Sequence, residues 1–300
     1  MEKKDRIDLL GGSALLALSI MLGLNQVMIK LLNDGLQPVF SVGLRSLAAA
    51  VIVLTYALLR GKRLSMRDGS LVPGILTGIL FAAEFVFVFV ALDYTTVVRV
   101  SIFFYTMPIW MTLGAHFFID GERISRTKAL GLSIAMVGVI WAFADRGAGG
   151  GDLLGDIFCT LGAMCWAAIG LIARVSKMNR STPEMQLLYQ LVVSAVILLP
   201  VSLLLGPLIR DFQLYHLGLF AVMVIGVVSI GFLVWFWILS IYPPSDMASY
   251  AFLAPVFGVI FGWLILDEPI GPTIIGALAL VSVGIVLINR KPRARPRPAG

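Results

Sequence analysis

Apolar runs separated by short polar connectors cover nearly the whole of this 300-residue chain. Each run is about 20 residues long, which is the length that an α-helix needs to cross a hydrocarbon core of ~30 Å. Ten runs can be marked, at residues 9–29, 39–59, 71–92, 97–118, 127–144, 153–173, 185–205, 217–240, 245–266 and 270–289. The pattern therefore predicts an all-α membrane protein with ten transmembrane helices.

The composition agrees with a lipid environment. Hydrophobic residues make up 59% of the chain and charged residues 13%, and the mean hydropathy is +0.96. A soluble protein of this length could not bury so much apolar surface in one core. We therefore expect the lipid bilayer to be a main partner of the chain.

Basic residues are distributed very unequally between alternate connectors. With the N-terminus in the cytoplasm, the cytoplasmic segments hold 18 Lys and Arg and the outer connectors hold 3. Because cytoplasmic loops carry an excess of Lys and Arg, this count predicts that both termini are cytoplasmic, in a cell inner membrane. The net charge of +6 is then mostly a topology signal. The basic tail, residues 290–300, is interpreted as a lipid-facing anchor rather than a nucleic-acid-binding arm.

The two cysteines and the N-terminal run carry no special signal. Cys159 and Cys165 lie on different faces of the sixth helix, so no disulfide framework or metal-ligand spacing can be argued from them. The basic start resembles a signal peptide, but the run that follows is about 20 residues long and no small-x-small cleavage site comes after it. We interpret it as the first helix, and we expect no cofactor and no metal.

The two halves of the chain share a weak internal repeat. Pro108 and Pro255 are each followed by a glutamate, 14 residues later in the first half and 13 in the second. Each glutamate is followed by a glycine 16 residues further on. Proline and glutamate are scarce in apolar helices, which favours a repeat over chance similarity. We divide the chain into residues 1–146, residues 147–289 and the tail. Two halves of five helices each must lie in the membrane as inverted repeats.

These motifs carry a resemblance to a known family. The relevant residues are Leu44-Arg45, Ala91-Leu92-Asp93-Tyr94, Ser101, Pro108, Gly121-Glu122, Gly131 and Gly138, recurring loosely as Ser249, Pro255, Asp267-Glu268 and Gly284. This pattern resembles the drug/metabolite transporter superfamily, specifically its EamA-type ten-helix exporters. The family's common Trp-Gly of the first helix is Leu22-Gly23 here, although Trp166 occupies the matching place in the sixth helix. An aromatic contact from the first helix to substrate is therefore not expected.

Ionisable residues inside apolar helices are costly in lipid, which makes each one a candidate for function. Glu84 lies ~12 Å deep in the third helix, where it could exchange protons and couple transport to a proton gradient. Arg45 of the second helix could bind a substrate carboxylate, or it could form a structural pair with Glu84. Arg99, at the start of the fourth helix, is expected to snorkel to the surface or to pair with Asp93.

Aromatic and amide side chains within the predicted spans supply the remaining candidates for a binding cavity. Rings could bind the apolar part of an amphipathic solute and amides its polar end, whereas any single member could be a packing or interface residue. The members near the middle of helices that the resemblance places around the cavity are favoured. The full set is Asn25, Gln26, Tyr105, Trp166, Tyr189, Gln190, Trp235, Trp237 and Tyr250, and the favoured members are Tyr105, Trp166 and Tyr250.

Prolines and glycines indicate where helices bend or approach closely. Pro108 and Pro255 lie inside the fourth and ninth predicted helices, where each removes a backbone hydrogen bond and favours a kink. Paired kinks suit hinges that open one face while closing the other, and static kinks fit the sequence equally well. Two pairs of glycines four residues apart predict close helix contacts, within one chain or in a dimer. They are Gly74 with Gly78 and Gly258 with Gly262.

The resemblance and the buried polar residues together favour a secondary exporter of small amphipathic metabolites, most plausibly amino acids including aromatic ones, that works by alternating access. A multidrug or nucleotide-sugar carrier of the same fold is the nearest alternative. A membrane-embedded enzyme acting on lipid would need an acid–base group or metal cluster, and no Asp/Glu/His cluster accompanies His116 or His216. We therefore expect a transporter that binds a small molecule and is not an enzyme. The sequence leaves its oligomeric state open, a monomer included.

Overall fold

A computed structural model of the chain describes residues 7–119, 122–144, 151–242, 250 and 252–289. Within that part the secondary structure is helical, with one isolated antiparallel bridge between Leu36 and Ile209 and no strand. The predicted all-α class is confirmed. The motif residues Gly121 and Ser249 and the tail at 290–300 lie outside the described residues.

Ten helical elements follow the ten predicted runs. They are α1 (Leu9–Gly35), α2 (Pro38–Leu59), α3 (Leu71–Tyr94), α4 (Val97–Phe118), α5 (Arg126–Ala144), α6 (Leu153–Val175), α7 (Pro183–Ser202), α8 (Leu214–Gly231, continued as Phe232–Ile241), α9 (Leu253–Leu266) and α10 (Pro272–Asn289). In the described residues, nine helices are long and apolar enough to cross a membrane, and α9 is shorter at 14 residues. The predicted ninth run starts at residue 245, and residues 243–249 and 251 lie outside the described part.

Capping residues explain several helix starts. The Asp8 side chain accepts a hydrogen bond from the Gly11 N–H at 2.9 Å, which fixes the first turn of α1. Thr182 does the same for α7, where Pro183 follows at a position that needs no N–H donor. These capping residues indicate the residue at which each helix begins, which hydropathy alone does not indicate.

Helix α4 is interrupted at the point where the sequence predicts a kink. A 3-10 turn at Phe104–Thr106 separates Val97–Phe103 from Met107–Phe118, and Pro108 stands at the start of the second segment. Proline lacks the N–H that an unbroken α-helix would use, which accounts for the break. Pro255 is the third residue of α9, and most of the residues before it lie outside the described part. The second kink therefore stays a prediction.

Connectors meet in two groups, one at each end of the bundle. The connector α1–α2 pairs with α7–α8, since the Gln37 N–H donates to the Leu208 carbonyl at 2.9 Å. Arg210 of the α7–α8 connector forms an ion pair with Asp93 at the end of α3, at 2.8 Å. We name this end the Glu268 face after the residue of the α9–α10 connector that also lies there. We name the other end the Arg63 face, after a residue of the α2–α3 connector. There, Lys62 of the same connector forms an ion pair with Glu184 in the first turn of α7, at 3.0 Å.

Helices from the two halves interleave. α5 packs on α10, α2 on α7, α3 on α6 and α7, α4 on α6 and α9, and α1 on α9. Glycines permit the closest approaches. A Cβ on Gly131 would lie 2.8 Å from the Gly284 carbonyl oxygen, and a Cβ on Gly284 would lie 2.6 Å from that of Gly131. In lipid, such van der Waals contact supplies much of the drive for helix association.

The predicted glycine contacts are made within the chain. A Cβ on Gly78 would meet Val193 of α7 at 2.5 Å, and one on Gly74 would meet the Tyr189 ring at 2.5 Å. On α9, a Cβ at Gly258 would collide with Ser101 of α4. Both pairs therefore serve helix packing in this structure.

Candidate functional site

An aromatic cluster surrounds the break in α4. Trp166 of α6 stacks on Phe104 with ring centroids 5.1 Å apart, and Tyr105 meets Trp166 edge to face at 6.3 Å. The Gln26 side chain of α1 lies beside the Tyr105 hydroxyl. The structure thus brings together three of the predicted cavity residues, from α1, α4 and α6.

Several polar side-chain atoms of α1 and of the first half of α2 are buried and have no partner among the described residues. Within the described residues, no hydrogen bond reaches Asn25 Oδ1, Gln26 Oε1, Ser41 Oγ, Arg45 Nη2 or Ser46 Oγ. A buried polar group without a partner costs about 1–3 kcal/mol, so such groups are rare in folded proteins and call for a specific explanation. Five of them on two neighbouring helices fit a site that a polar ligand or water completes.

Arg45 is held by aromatic rings. Its side chain is 2% exposed, and its guanidinium carbon lies 4.1 Å from the centre of the Phe85 ring and 5.0 Å from that of Phe89. Cation–π contacts of this kind stabilise a cation away from water. Glu84 is 4% exposed and close enough to attract Arg45 electrostatically. Among the described residues, however, neither side chain forms a hydrogen bond or close ion pair with the other, so the predicted structural pair is not formed as a direct contact.

Arg99 is neither a snorkelling residue nor the partner of Asp93, so both expectations for it were wrong. It is fully buried, and its Nε donates to the Asp156 carboxylate oxygens at 3.0 and 3.1 Å. Thr95 also donates to Asp156, at 3.2 Å. The reason is the packing of α4 on α6, which places the start of both helices side by side. Asp93 instead pairs with Arg210 and accepts a hydrogen bond from Asn33 at 2.9 Å.

Glu268 holds the start of α4 from the opposite half of the chain. Its two carboxylate oxygens accept hydrogen bonds from the Val97 N–H at 2.9 Å and the Val98 N–H at 2.8 Å. A carboxylate here satisfies two donors that the helix leaves unpaired and complements the helix dipole. Burial raises the pKa of Glu268, whereas the two N–H donors oppose that shift by favouring the ionised form. The repeat motif pointed to this residue but not to its contact.

Glu122, the repeat counterpart of Glu268, has different neighbours. Its carboxylate lies 3.4 Å from Lys128 Nζ and 3.9 Å from Arg174 Nη1, and its side chain is 39% exposed. The two glutamates of the repeat are thus in unlike states, one buried against a helix start and one in a partly solvated ion pair.

Several predicted cavity residues lie apart from the aromatic cluster. The Tyr189 hydroxyl is hydrogen-bonded to Ser70 at 3.1 Å, near the Arg63 face. Trp237 and Tyr250 pack with the start of α1 in a separate cluster. Gln190 is half-buried on α7, and Trp235 is 41% exposed on the outer surface of the bundle. Sequence position identified these residues as membrane-embedded but could not tell which way each side chain points.

No metal site emerges from the geometry. Across the described ranges, no group of three or more His, Cys, Asp or Glu side chains is placed to hold a metal ion. Cys159 is buried and Cys165 half-buried, and neither is in a disulfide.

In the part of the chain that the structure describes, nine helices are long and apolar enough to cross a membrane, and polar groups are buried between them, as is typical of a multi-pass membrane protein. The model of the EamA-like transporter family matches residues 9–144 and again residues 153–290. The chain therefore belongs to the EamA-like transporter family. This confirms the resemblance to the drug/metabolite transporter superfamily drawn from the motifs.

Individual relatives agree with this assignment. The chain is 24% identical over 282 residues to the uncharacterized transporter YoaV of Bacillus subtilis, covering 91% of this chain and 94% of the relative. It is 24% identical over 303 residues to the uncharacterized inner membrane transporter YedA of Escherichia coli K12, covering 94% of each. A solved crystal structure of another protein superposes with a TM-score of 0.65 at 19% identity, over 93% of this chain and 94% of that one. This likeness shows the shared fold.

Proposed function

We propose that this transporter is a secondary exporter of small amphipathic metabolites, above all amino acids including aromatic ones, in the cell inner membrane. Two observations carry the proposal: polar atoms of α1 and α2 are buried without partners among the described residues, and one of these side chains, Gln26, lies beside the cluster of Tyr105 and Trp166. An amino acid supplies hydrogen-bonding groups for these polar atoms and an apolar side chain for the aromatic cluster.

Two inverted five-helix repeats, residues 1–146 and 147–289, form the proposed framework for alternating access. The family model matches once in each half, which supports the repeat. The pairs α2–α7 and α5–α10 also join helices at corresponding places in the two halves. The excess of basic residues in the connectors of the Arg63 face supports the proposal that both termini are cytoplasmic.

In the proposed cycle, helices α4 and α9 separate at one face while the other face closes. Pro108 and Pro255 are the proposed hinges, and the 3-10 turn before Pro108 supplies a weak point in α4. Glu268 joins the end of α9 to the start of α4 through its hydrogen bonds with Val97 and Val98. In the proposed cycle the Glu268 face is closed while these hydrogen bonds are formed, and release of Glu268 is the opening step.

Arg45 is the proposed anchor for a substrate carboxylate, because its Nη2 lacks an acceptor within the described part of the chain. Glu84 is the proposed coupling residue, since it is buried and no cation of the described part of the chain is hydrogen-bonded to it. Asn25 and Gln26 complete the polar side of the site.

Counterflow into liposomes tests this function. Purified protein is reconstituted into liposomes. The liposomes are preloaded in turn with unlabelled phenylalanine, methionine, threonine, a cationic dye or a nucleotide sugar, and the uptake of labelled phenylalanine is measured. Accumulation only with amino-acid loads supports the proposal. No accumulation of labelled phenylalanine with any amino-acid load, from protein shown to be folded, would overturn the amino-acid assignment, and flux without saturation or counterflow indicates a channel.

A matched pair of variants links transport to the site. Trp166→Ala removes a ring from the aromatic cluster and is expected to raise the half-saturation concentration for phenylalanine about tenfold. Trp235→Ala removes an equally large ring from the outer surface and should leave that concentration unchanged. Equal effects would separate the aromatic cluster from substrate binding.

A further inference from the structure

A cavity of about 240 Å³, lined mostly by residues with polar side chains, lies at the Arg63 face, away from the site described above. It opens between two connectors that are more than a hundred residues apart in sequence. The residues that line it are Arg63, Ser65 and Asp68 of the α2–α3 connector, Arg180 and Thr182 of the α6–α7 connector, and Met185 in the first turn of α7.

Hydrogen bonds fix the two walls of this cavity to each other. Thr182 Oγ1 donates to the Arg63 carbonyl oxygen at 3.2 Å, and Ser181 Oγ donates to Asp68 Oδ2 at 3.0 Å. The ion pair between Lys62 and Glu184 adds a third tie between the same two segments. These contacts fix the two walls of the cavity relative to each other.

The charges that line the cavity favour an anion. In the described part of the chain, the guanidinium groups of Arg63 and Arg180 form no hydrogen bond or ion pair, so both are available to a ligand. Asp68 is the one acidic lining residue, and its carboxylate already accepts from the Ser70 N–H at 2.9 Å and from Ser181. These hydrogen bonds lower the pKa of Asp68, which keeps it ionised as a structural acceptor.

The location of the cavity indicates which anion reaches it. Its walls lie within a few residues of the end of α2 and the start of α7, and the headgroups of a bilayer around these helices are expected at helix ends. Leu58 and Leu59, in the last turn of α2 five and four residues before Arg63, are 65% and 82% exposed and offer apolar surface on the helix that leads to the cavity. A ligand with a phosphate head and an acyl tail matches this arrangement, with the head at the arginines of the cavity and the tail at the exposed leucines of α2.

We propose that the cavity binds the phosphate of an anionic phospholipid through Arg63 and Arg180. Guanidinium groups match the geometry of phosphate oxygens with paired hydrogen bonds, and basic pockets between transmembrane helices bind anionic headgroups. The acyl chain lies against the exposed end of α2. Bound lipid bridges the α2–α3 and α6–α7 connectors, which otherwise meet through polar contacts at the membrane surface. This assignment is independent of the transported solute.

Native mass spectrometry of the delipidated full-length protein tests the assignment, with phosphatidylglycerol and phosphatidylcholine added separately. The wild type should retain phosphatidylglycerol in preference to phosphatidylcholine. The double variant R63Q/R180Q should lose that preference by about tenfold or more in apparent affinity, because both charge-assisted contacts are gone. R67Q removes a charge from the same connector outside the cavity lining and should retain the preference.

Further arms separate the remaining explanations. R63K/R180K keeps both charges but loses the paired hydrogen bonds, and should bind with intermediate affinity. An unchanged preference in R63Q/R180Q would overturn the proposal, as would an equal loss in R67Q, which would indicate only diffuse charge attraction. Thermal stabilisation by inorganic phosphate without any preference for phosphatidylglycerol would overturn the lipid assignment. Melting temperatures of all variants in detergent serve as the folding control.

Discussion

Arg99 and Asp156 form a buried ion pair that joins the start of α4 to the first turn of α6, with side chains 2% and 1% exposed. Asp156→Asn leaves the Arg99 charge buried without its counter-ion, and breaking such a pair from one side costs about 3–5 kcal/mol. We expect a lower free energy of unfolding by that amount, measured by equilibrium unfolding in detergent. Asp93→Asn is the matched control, because its pair with Arg210 is partly solvated and is worth at most ~1 kcal/mol. Equal losses in the two variants would contradict the difference in burial.

Glu268→Gln weakens the tie between α9 and α4. One carboxylate oxygen is replaced by an amide NH₂, which cannot accept from Val97 or Val98, so one of the two hydrogen bonds is lost. We expect α4 and α9 to separate more often. A cysteine at position 101, buried between these helices, should then react faster with a membrane-impermeant thiol reagent.

That experiment requires both natural cysteines to be replaced by alanine, and it has an internal control. Glu122→Gln changes the repeat counterpart in its exposed ion pair and should not alter labelling at position 101. An unchanged rate in Glu268→Gln, with folding intact, would show that the carboxylate is a static helix cap and does not control opening.

Glu84→Gln should abolish any dependence of transport on a pH gradient while leaving exchange intact, because the amide cannot carry a proton between the two sides. The measurement is uptake into liposomes with and without an imposed pH gradient. An unchanged gradient dependence would remove Glu84 from coupling. Loss of folding in both Glu84→Gln and Arg45→Gln would instead favour a structural role for the two charges.

Gly284→Ala inserts a methyl group where the Gly131 carbonyl oxygen is only 2.6 Å from the ideal Cβ position. Backbone must move to accept it, and overpacking of this kind costs about 1–3 kcal/mol. Gly218→Ala is the control, because no atom lies within 4 Å of its added Cβ. In a helix that change should stabilise by up to ~1 kcal/mol. The melting temperatures should therefore move in opposite directions.

Asp68 should contribute stability that depends on pH. Its pKa in the folded protein is below the usual 3.8, because it accepts hydrogen bonds from Ser70 and Ser181. For an acid with a lowered pKa, the contribution is fully present above 3.8 and is lost as the pH falls through the folded-state pKa. The wild type should thus melt above Asp68→Asn at neutral pH, and the difference should shrink as the pH falls below 3.8. A difference that persists at lower pH would exclude ionisation as its source.

The positions of the helices could be predicted because lipid imposes a simple rule on each segment separately. Every backbone polar group must be satisfied within the segment, so a run of apolar residues becomes a helix wherever it lies. Helix ends were less well predicted. Helix α1 continues to Gly35, through the polar residues Asn33 and Asp34, and not to residue 29. Asn33 finds its partners on α3, a contact that hydropathy does not encode.

The candidate site was only partly predictable, since its members belong to different helices. Tyr105 and Trp166 were found because both lie mid-span in helices that the family resemblance places together. Trp235 could not be separated from them, because position along a helix does not say which face meets lipid. The partner of Arg99 is 57 residues away and was missed for the same reason: the packing of α4 on α6 is a property of the whole bundle.

The facing glycines of α5 and α10 place an unusual limit on sequence change. A Cβ atom on either glycine would collide with the backbone carbonyl oxygen of the other. Neither residue has a side chain that could be made smaller to relieve the collision. An enlargement at position 131 therefore has no second substitution at 284 that could restore the fit, and the reverse is equally true. In a random library selected for folded protein, these two positions should tolerate almost no replacement, even though neither touches the aromatic cluster or the ion pairs.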